Sequence, residues 1–262
     1  MSIKLAISGK GGVGKSTLAG TLARLWAAEG RRVLAVDADP DANLASALGV
    51  PAELLHAVHT ISEERQLIEE RTGAKAREFG QIFRLNPDVT GIAEQYGTLH
   101  AGVNLLVLGA ARQAGAGCAC PESVLLKSLV RNVVMKPGDV VILDMEAGIE
   151  HLGRGTAMGV DLMLGVVEPG QRSVETAHRV REMSEALGIR RFGVVLNKST
   201  APEDLAWMEA EFGAANVLGC IPFDARIAAA DRAGTSLLDN GHVECLEWFR
   251  AIQRRVEDLI EK

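Results

Sequence analysis

The stretch Gly9-Lys10-Gly11-Gly12-Val13-Gly14-Lys15-Ser16-Thr17 separates an apolar run at residues 3–7 from a segment of helical period. It satisfies Gly-x-x-x-x-Gly-Lys-Ser/Thr in full. Glycines admit backbone conformations that side chains forbid. The successive N–H groups of Gly9, Gly11, Gly12, Val13 and Gly14 are therefore expected to turn inward on a phosphate chain, beside a helix N-terminus whose dipole favours negative charge. In such a loop Lys15 reaches the β and γ phosphates, Ser16 offers its hydroxyl to Mg²⁺, and Thr17 adds a hydroxyl for the phosphates. Gly9-x-Gly11-x-x-Gly14 also spells a dinucleotide fingerprint, with Asp37 near the place of its ribose-binding acid. That reading leaves Lys15 and Ser16 without a task, so a nucleoside triphosphate is the expected ligand.

Outward from the loop, short aliphatic and β-branched runs alternate with longer helical ones. Strands are expected at residues 4–8, 32–37, 104–108, 140–144, 162–167, 192–197 and 217–221, and helices at 15–28, 122–134, 172–187, 202–212 and 224–233. Several strands are apolar throughout, as strands covered on both faces are. Repeated βα order predicts an α/β fold of the P-loop NTPase kind: a doubly wound, mostly parallel sheet with helices on both faces, in a single domain over residues 1–262. Residues 51–100 break the rhythm with charged helical sequence, including Glu63, Glu64, Arg65, Glu69, Glu70 and Arg71. This segment reads as a helical insertion, with room for one short strand at 81–85.

Composition narrows the partners. A balance of 28 Lys and Arg against 34 Asp and Glu gives a formal charge of −6, and 3 Trp, 1 Tyr and 6 Phe offer few stacking platforms, so no nucleic-acid partner is expected. No run of eighteen apolar residues occurs, and the first apolar run meets glycines without a charged leader or a cleavage site; a cytoplasmic protein with no membrane partner is expected. Val243, Leu246, Phe249, Ile252, Val256, Leu259 and Ile260 recur at helical spacing. With five acids against four bases from His242 onward, they read as a helix docked on the core.

An ordinary phosphate loop does not require Lys10. Gly-Lys-Gly-Gly-Val-Gly-Lys-Ser-Thr resembles the deviant Walker A motif of the MinD, ParA and nitrogenase iron-protein group. The resemblance implies that Lys10 reaches the nucleotide of a partner subunit and couples hydrolysis to homodimer formation. It also implies that Asp39, in Asp37-Ala38-Asp39-Pro40-Asp41, orients the attacking water, with Asp37 near the metal shell. Asp144, closing the aliphatic run 140–143, is the carboxylate expected to hold Mg²⁺ through water. Acids at strand ends also serve as helix caps, and Asp41 reads as one.

Asn197-Lys198-Ser199-Thr200 starts like the guanine-reading Asn-Lys-x-Asp, but position 200 lacks the acid, so adenine, as ATP or ADP, is favoured. By the same resemblance Asn197 contacts the base and Pro222 lies in the loop flanking it; a plain turn is the other reading of Pro222.

Cys118-Ala119-Cys120 follows the glycine-rich stretch 114–117 and precedes Pro121-Glu122, which reads as a helix start. Two thiols two residues apart are awkward for a disulfide but suited to a soft or borderline metal. They supply two ligands. Zn²⁺ usually takes four and Ni²⁺ can take four thiolates, so the simplest completion is the same pair from a second subunit. The alternative is a pair of small residues buried under a loop, which is also how Cys220 and Cys245 read. His56-x-x-His59 has metal-ligand spacing but no second ligand pair, so both histidines read as surface or core groups.

With this pair the resemblance narrows. Residues 117–122, together with Asp144-Met145-Glu146-Ala147-Gly148-Ile149-Glu150-His151-Leu152-Gly153-Arg154-Gly155-Thr156, look like the CooC-type maturation ATPases. The resemblance implies an ATP-hydrolysing, dimeric metallochaperone that assists nickel insertion into carbon monoxide dehydrogenase or acetyl-CoA synthase, with Cys118 and Cys120 holding Ni²⁺ or Zn²⁺. Two other readings remain. One is a metal-free MinD/ParA-like switch that positions partners. The other is an iron-sulfur scaffold or electron carrier, although Ala147 stands where the nitrogenase-type cluster ligand would be.

Overall fold

Every residue of the first strand, β1 (Ile3–Gly9), is buried, because the strand lies inside a sheet covered on both faces. The computed structural model describes residues 1–75, 81–109, 121–132, 136–146 and 159–261. The other strands within them are β2 (Val33–Asp37), β3 (Thr98–His100), β4 (Val103–Val107), β5 (Val140–Asp144), β6 (Leu162–Val167), β7 (Phe192–Ser199) and β8 (Val217–Pro222). They form one sheet in the order β3-β4-β2-β5-β1-β6-β7-β8. All neighbours are parallel except the β3–β4 pair. This is the expected α/β, doubly wound architecture in a single α/β domain.

The helices are α1 (Lys15–Ala28), α2 (Leu44–Ala47), α3 (Ala52–Leu55), α4 (Arg65–Thr72), α5 (Ile92–Tyr96), α6 (Pro121–Asn132), α7 (Gln171–Ala186), α8 (Pro202–Phe212), α9 (Ala225–Ala233) and α10 (Val243–Glu261). Alternate residues of a strand face opposite sides of the sheet, so two core layers form. Ile3, Leu5 and Ile7 pack with Leu18, Leu22 and Trp26 of α1 and with Phe249, Ile252 and Val256 of α10. Ala6, Val141 and Leu143 face the other layer, with Leu67 and Ile68 of α4, Leu125 and Leu129 of α6, Val180 of α7, and Met208 and Phe212 of α8. Lys4 also enters that layer: its ammonium donates to the Val130 carbonyl at 2.6 Å, in the last turn of α6, where carbonyls lack helical partners. Burial pushes its pKa down to about 8 against the pull of Asp161. Among the described residues no helix is long and apolar enough to cross a membrane.

Two expectations need correction. Residues 81–85 form no strand; Ile82 and Leu85 are 96% and 69% exposed, so the apolar alternation there has no layer to pack on. The extra strand is β3 instead. It pairs antiparallel with β4 across Ala101 and Gly102, whose φ values of +46° and +81° are the two left-handed positions of a tight hairpin turn. Asp41 caps no helix. The Asp37 carboxylate takes that place, accepting from the Leu44 N–H at 2.9 Å at the start of α2. Helix α10 docks as expected, although its first apolar residue, Val243, is 61% exposed.

Candidate nucleotide site

Strand β1 ends between β5 and β6, and the chain turns there into α1. Its order in the sheet places that turn at the carboxyl edge where strands connect outward in opposite directions, the usual ligand crevice of a doubly wound fold. Two glycines are required by contact. A Cβ on Gly9 would meet the Val166 carbonyl of β6 at 2.5 Å. Gly14 sits at φ +99°, and a Cβ there would run into the Asn197 amide. Val13, between them, turns its side chain fully into the core and anchors the loop.

Beside the loop lies a cavity of about 500 Å³. Gly11, Gly12, Gly14, Lys15, Ser16, Thr17 and Asp39 line one part of it, and Asn197, Lys198, Pro222 and Phe223 another. Most of the expected phosphate and base residues, all but Gly9 and Val13, are therefore brought together around one space, although they come from the loop after β1, from α1 and from the ends of β7 and β8. Lys10 is exposed and does not line this cavity. Cys118 and Cys120 lie outside the described residues, as does His151.

The acids are arranged in depth. The Lys15 ammonium pairs with Asp39 Oδ2 at 3.4 Å, both side chains being under a tenth exposed. Asp39 Oδ1 accepts from the Asp41 N–H at 3.0 Å. Asp37 and Asp144 are neighbours in register at the ends of β2 and β5, and both are fully buried. Burial, then the charge of Asp144, pushes the Asp37 carboxyl up to about 7, against the N–H groups of Leu44 and Asp39 that it accepts from. Burial likewise raises Asp144 to about 6, opposed by nearby Ser16 and Lys15.

Asp37 is thus occupied by backbone donors, whereas neither carboxylate oxygen of Asp144 completes a hydrogen bond. A buried carboxylate without a donor is costly unless a cation or cation-bound water faces it. With the Ser16 hydroxyl at hand, Asp144 fits a Mg²⁺ ion held through water, and Asp37 fits the role of shaping the loop that carries Asp39.

Asn197 is engaged with the loop itself: its amide donates to the Val13 carbonyl at 2.7 Å. Lys198, to which sequence reading assigned no task beyond the failed guanine pattern, donates to the neighbouring Gly12 carbonyl at 2.6 Å. The signal that could have found it is its place at the end of a strand two positions from β1 in the sheet.

Residues 4–237 match the model of the CobQ/CobB/MinD/ParA nucleotide-binding domain. The chain belongs to that family. Within it, the chain is 49% identical over 237 residues to the carbon monoxide dehydrogenase accessory protein CooC of Rhodospirillum rubrum, covering 90% of each, which places it on the CooC-like branch. It is 44% identical over 234 residues to an uncharacterized ATP-binding protein of Methanocaldococcus jannaschii, covering 88% of this chain and 90% of the relative. The septum site-determining protein MinD of Pyrococcus horikoshii, solved with Mg-ADP, shares the fold at a TM-score of 0.67 and 19% identity, covering 99% of this chain and 97% of that one. As a CooC-like member of the CobQ/CobB/MinD/ParA family, the protein is an ATPase, which accounts for the phosphate loop and the carboxylates converging on it.

Proposed function

We propose that this ATPase is a nucleotide-driven, dimeric metallochaperone that assists nickel insertion into carbon monoxide dehydrogenase, with acetyl-CoA synthase as the alternative client. The observation that carries the reading is its 49% identity, over 90% of both chains, to a carbon monoxide dehydrogenase accessory protein. The Cys118-x-Cys120 pair in the same chain supplies the soft ligands such a task needs.

In this reading Lys15, the glycine-rich loop, Ser16 and Thr17 hold the ATP phosphates, while Asn197 and Pro222 flank the adenine. Ser16 and Asp144 hold Mg²⁺, and Asp39 orients water. Exposure of Lys10 outside its own cavity supports a role on the nucleotide of a second subunit. Lys10→Ala is then expected to keep ATP affinity within about threefold, since an exposed lysine contributes little to its own subunit, yet to lose hydrolysis or ATP-dependent dimerisation in sedimentation. Full turnover by that variant would remove the trans role.

Two subunits would bring four thiolates to one Ni²⁺ or Zn²⁺ ion. Anaerobic Ni²⁺ titration with and without nucleotide, read by sulfur-to-metal absorbance and by size, is the direct test. One ion per two chains is expected, bound more weakly as pH falls because the thiols must ionise. Changing Cys118 and Cys120 together to Ser should abolish this binding and leave ATP binding intact. Retention of the metal by the double variant, or one ion per monomer without dimerisation, would overturn the shared site.

A further inference from the structure

Two consecutive carbonyls of the phosphate loop are tied to two consecutive side chains at the end of β7. Gly12 O accepts from Lys198 Nζ at 2.6 Å, and Val13 O accepts from Asn197 Nδ2 at 2.7 Å. A trans peptide carries its C=O and N–H in opposite directions, so fixing these carbonyls also fixes the directions of the Val13 and Gly14 N–H groups. The Gly14 N–H is a donor on which a phosphate-binding loop depends, while the Val13 N–H donates to the Lys10 carbonyl at 3.3 Å and closes the loop on itself.

Lys198 meets the loop from an unusual backbone. Its φ is +57°, in the left-handed region that β-carbons disfavour, at a register shift in the β7–β8 pairing between Asn197 and Ser199. Holding a lysine there strains the local backbone. The position delivers its ammonium to Gly12 O, and the same ammonium lies 3.6 Å from Glu168 Oε2 in the segment after β6. The Glu168 pair is between half-exposed groups and contributes little. The bond to Gly12 is short and charge-assisted, the stronger kind.

We infer that Lys198 is a positioning residue of the phosphate site: with Asn197 it holds the peptides on either side of Val13 in the orientation that receives the triphosphate, independently of which base is bound. The inference rests on nucleotide binding at this loop, which titration of the unaltered protein checks by itself.

Three variants separate this role from a structural one. Lys198→Gly removes the ammonium while suiting the left-handed backbone, so the nucleotide-free protein should unfold at an unchanged or higher temperature. Its affinity should fall about tenfold for Mg·ATP, and by a similar factor for Mg·ADP, Mg·GTP and inorganic tripolyphosphate, measured by calorimetry. Lys198→Arg, which can still donate to Gly12, should recover most of the loss. Glu168→Ala, which spares the Gly12 bond, should change affinity by less than about twofold.

Wild-type affinity in Lys198→Gly would overturn the inference. So would a loss confined to nucleotides and absent for tripolyphosphate, which would make Lys198 a ribose or base contact. A fall in unfolding temperature in Lys198→Gly that Lys198→Arg restores without restoring affinity would make the lysine structural, and a loss in Glu168→Ala equal to that in Lys198→Gly would assign the effect to the ion pair.

Discussion

Lys15→Ala is expected to weaken Mg·ATP binding by roughly two to three orders of magnitude, because it deletes a buried cation facing the phosphate site. The same substitution has a second consequence in the nucleotide-free protein. Lys15 and Asp39 are 5% and 7% exposed and pair at 3.4 Å, so removing the lysine strands a buried carboxylate. Breaking such a pair destabilises by about 3 kcal/mol. The double variant Lys15→Ala with Asp39→Ala should recover much of that loss while remaining unable to bind ATP tightly, because no charge is left unpaired. Thermal unfolding and nucleotide titration of the two single variants and the double variant measure both effects. Asp39→Ala alone should bind ATP and turn it over poorly. Wild-type ATP affinity in Lys15→Ala would move the phosphates elsewhere.

Asp144→Asn is expected to act in opposite directions on stability and activity. Its carboxyl is fully buried, neither oxygen completes a hydrogen bond, and its pKa is raised to about 6. A carboxyl whose folded pKa exceeds its unfolded value binds a proton more tightly in the native state. Stability therefore falls as pH rises from about 4 to about 6, and the full deficit persists above that. A neutral amide avoids the deficit, so the nucleotide-free variant should be more stable than wild type at pH 7 by on the order of 2 kcal/mol. The advantage should shrink as pH falls from about 6 and vanish below about pH 3, where the wild-type carboxyl is protonated in both states. Hydrolysis should fall about a hundredfold or more, because the carboxylate that fits Mg²⁺ is gone. A variant less stable than wild type at pH 7 would contradict the electrostatic account, and one with normal Mg²⁺-dependent turnover would contradict the metal role. The burial of a charge at the expense of stability is a usual feature of sites kept ready for a ligand.

Much of this was legible in order. The loop from Gly9 to Thr17 states its chemistry through residue type alone, and continuous apolar runs such as residues 140–143 mark strands buried on both faces. Helix α1 falls on residues 15–28 as expected, because a glycine-rich entry and an apolar stripe define it. Errors fell where local pattern is short or two-sided. Residues 81–85 alternate like a strand but lack a partner. Thr98–His100 is only three residues long, and its one local signal was the turn at Ala101-Gly102. Asp37 and Asp41 are both plausible caps by composition, and only the path of the chain selects Asp37.

By itself the sequence determined the fold class, the phosphate loop and the nucleotide chemistry, because these depend on residues adjacent in the chain, whose backbone freedom and hydrogen-bonding groups can be read directly. The tertiary structure alone decided which distant side chains act on that loop. Only the sheet order brings the end of β7 against Gly12 and Val13, sets Asp37 beside Asp144, and buries Lys15 against Asp39. Spacing along the chain carries no record of such contacts. They arise when parallel strands align their carboxyl ends, and burial there turns ordinary carboxylates and lysines into groups whose charge must be met by a neighbour or a ligand.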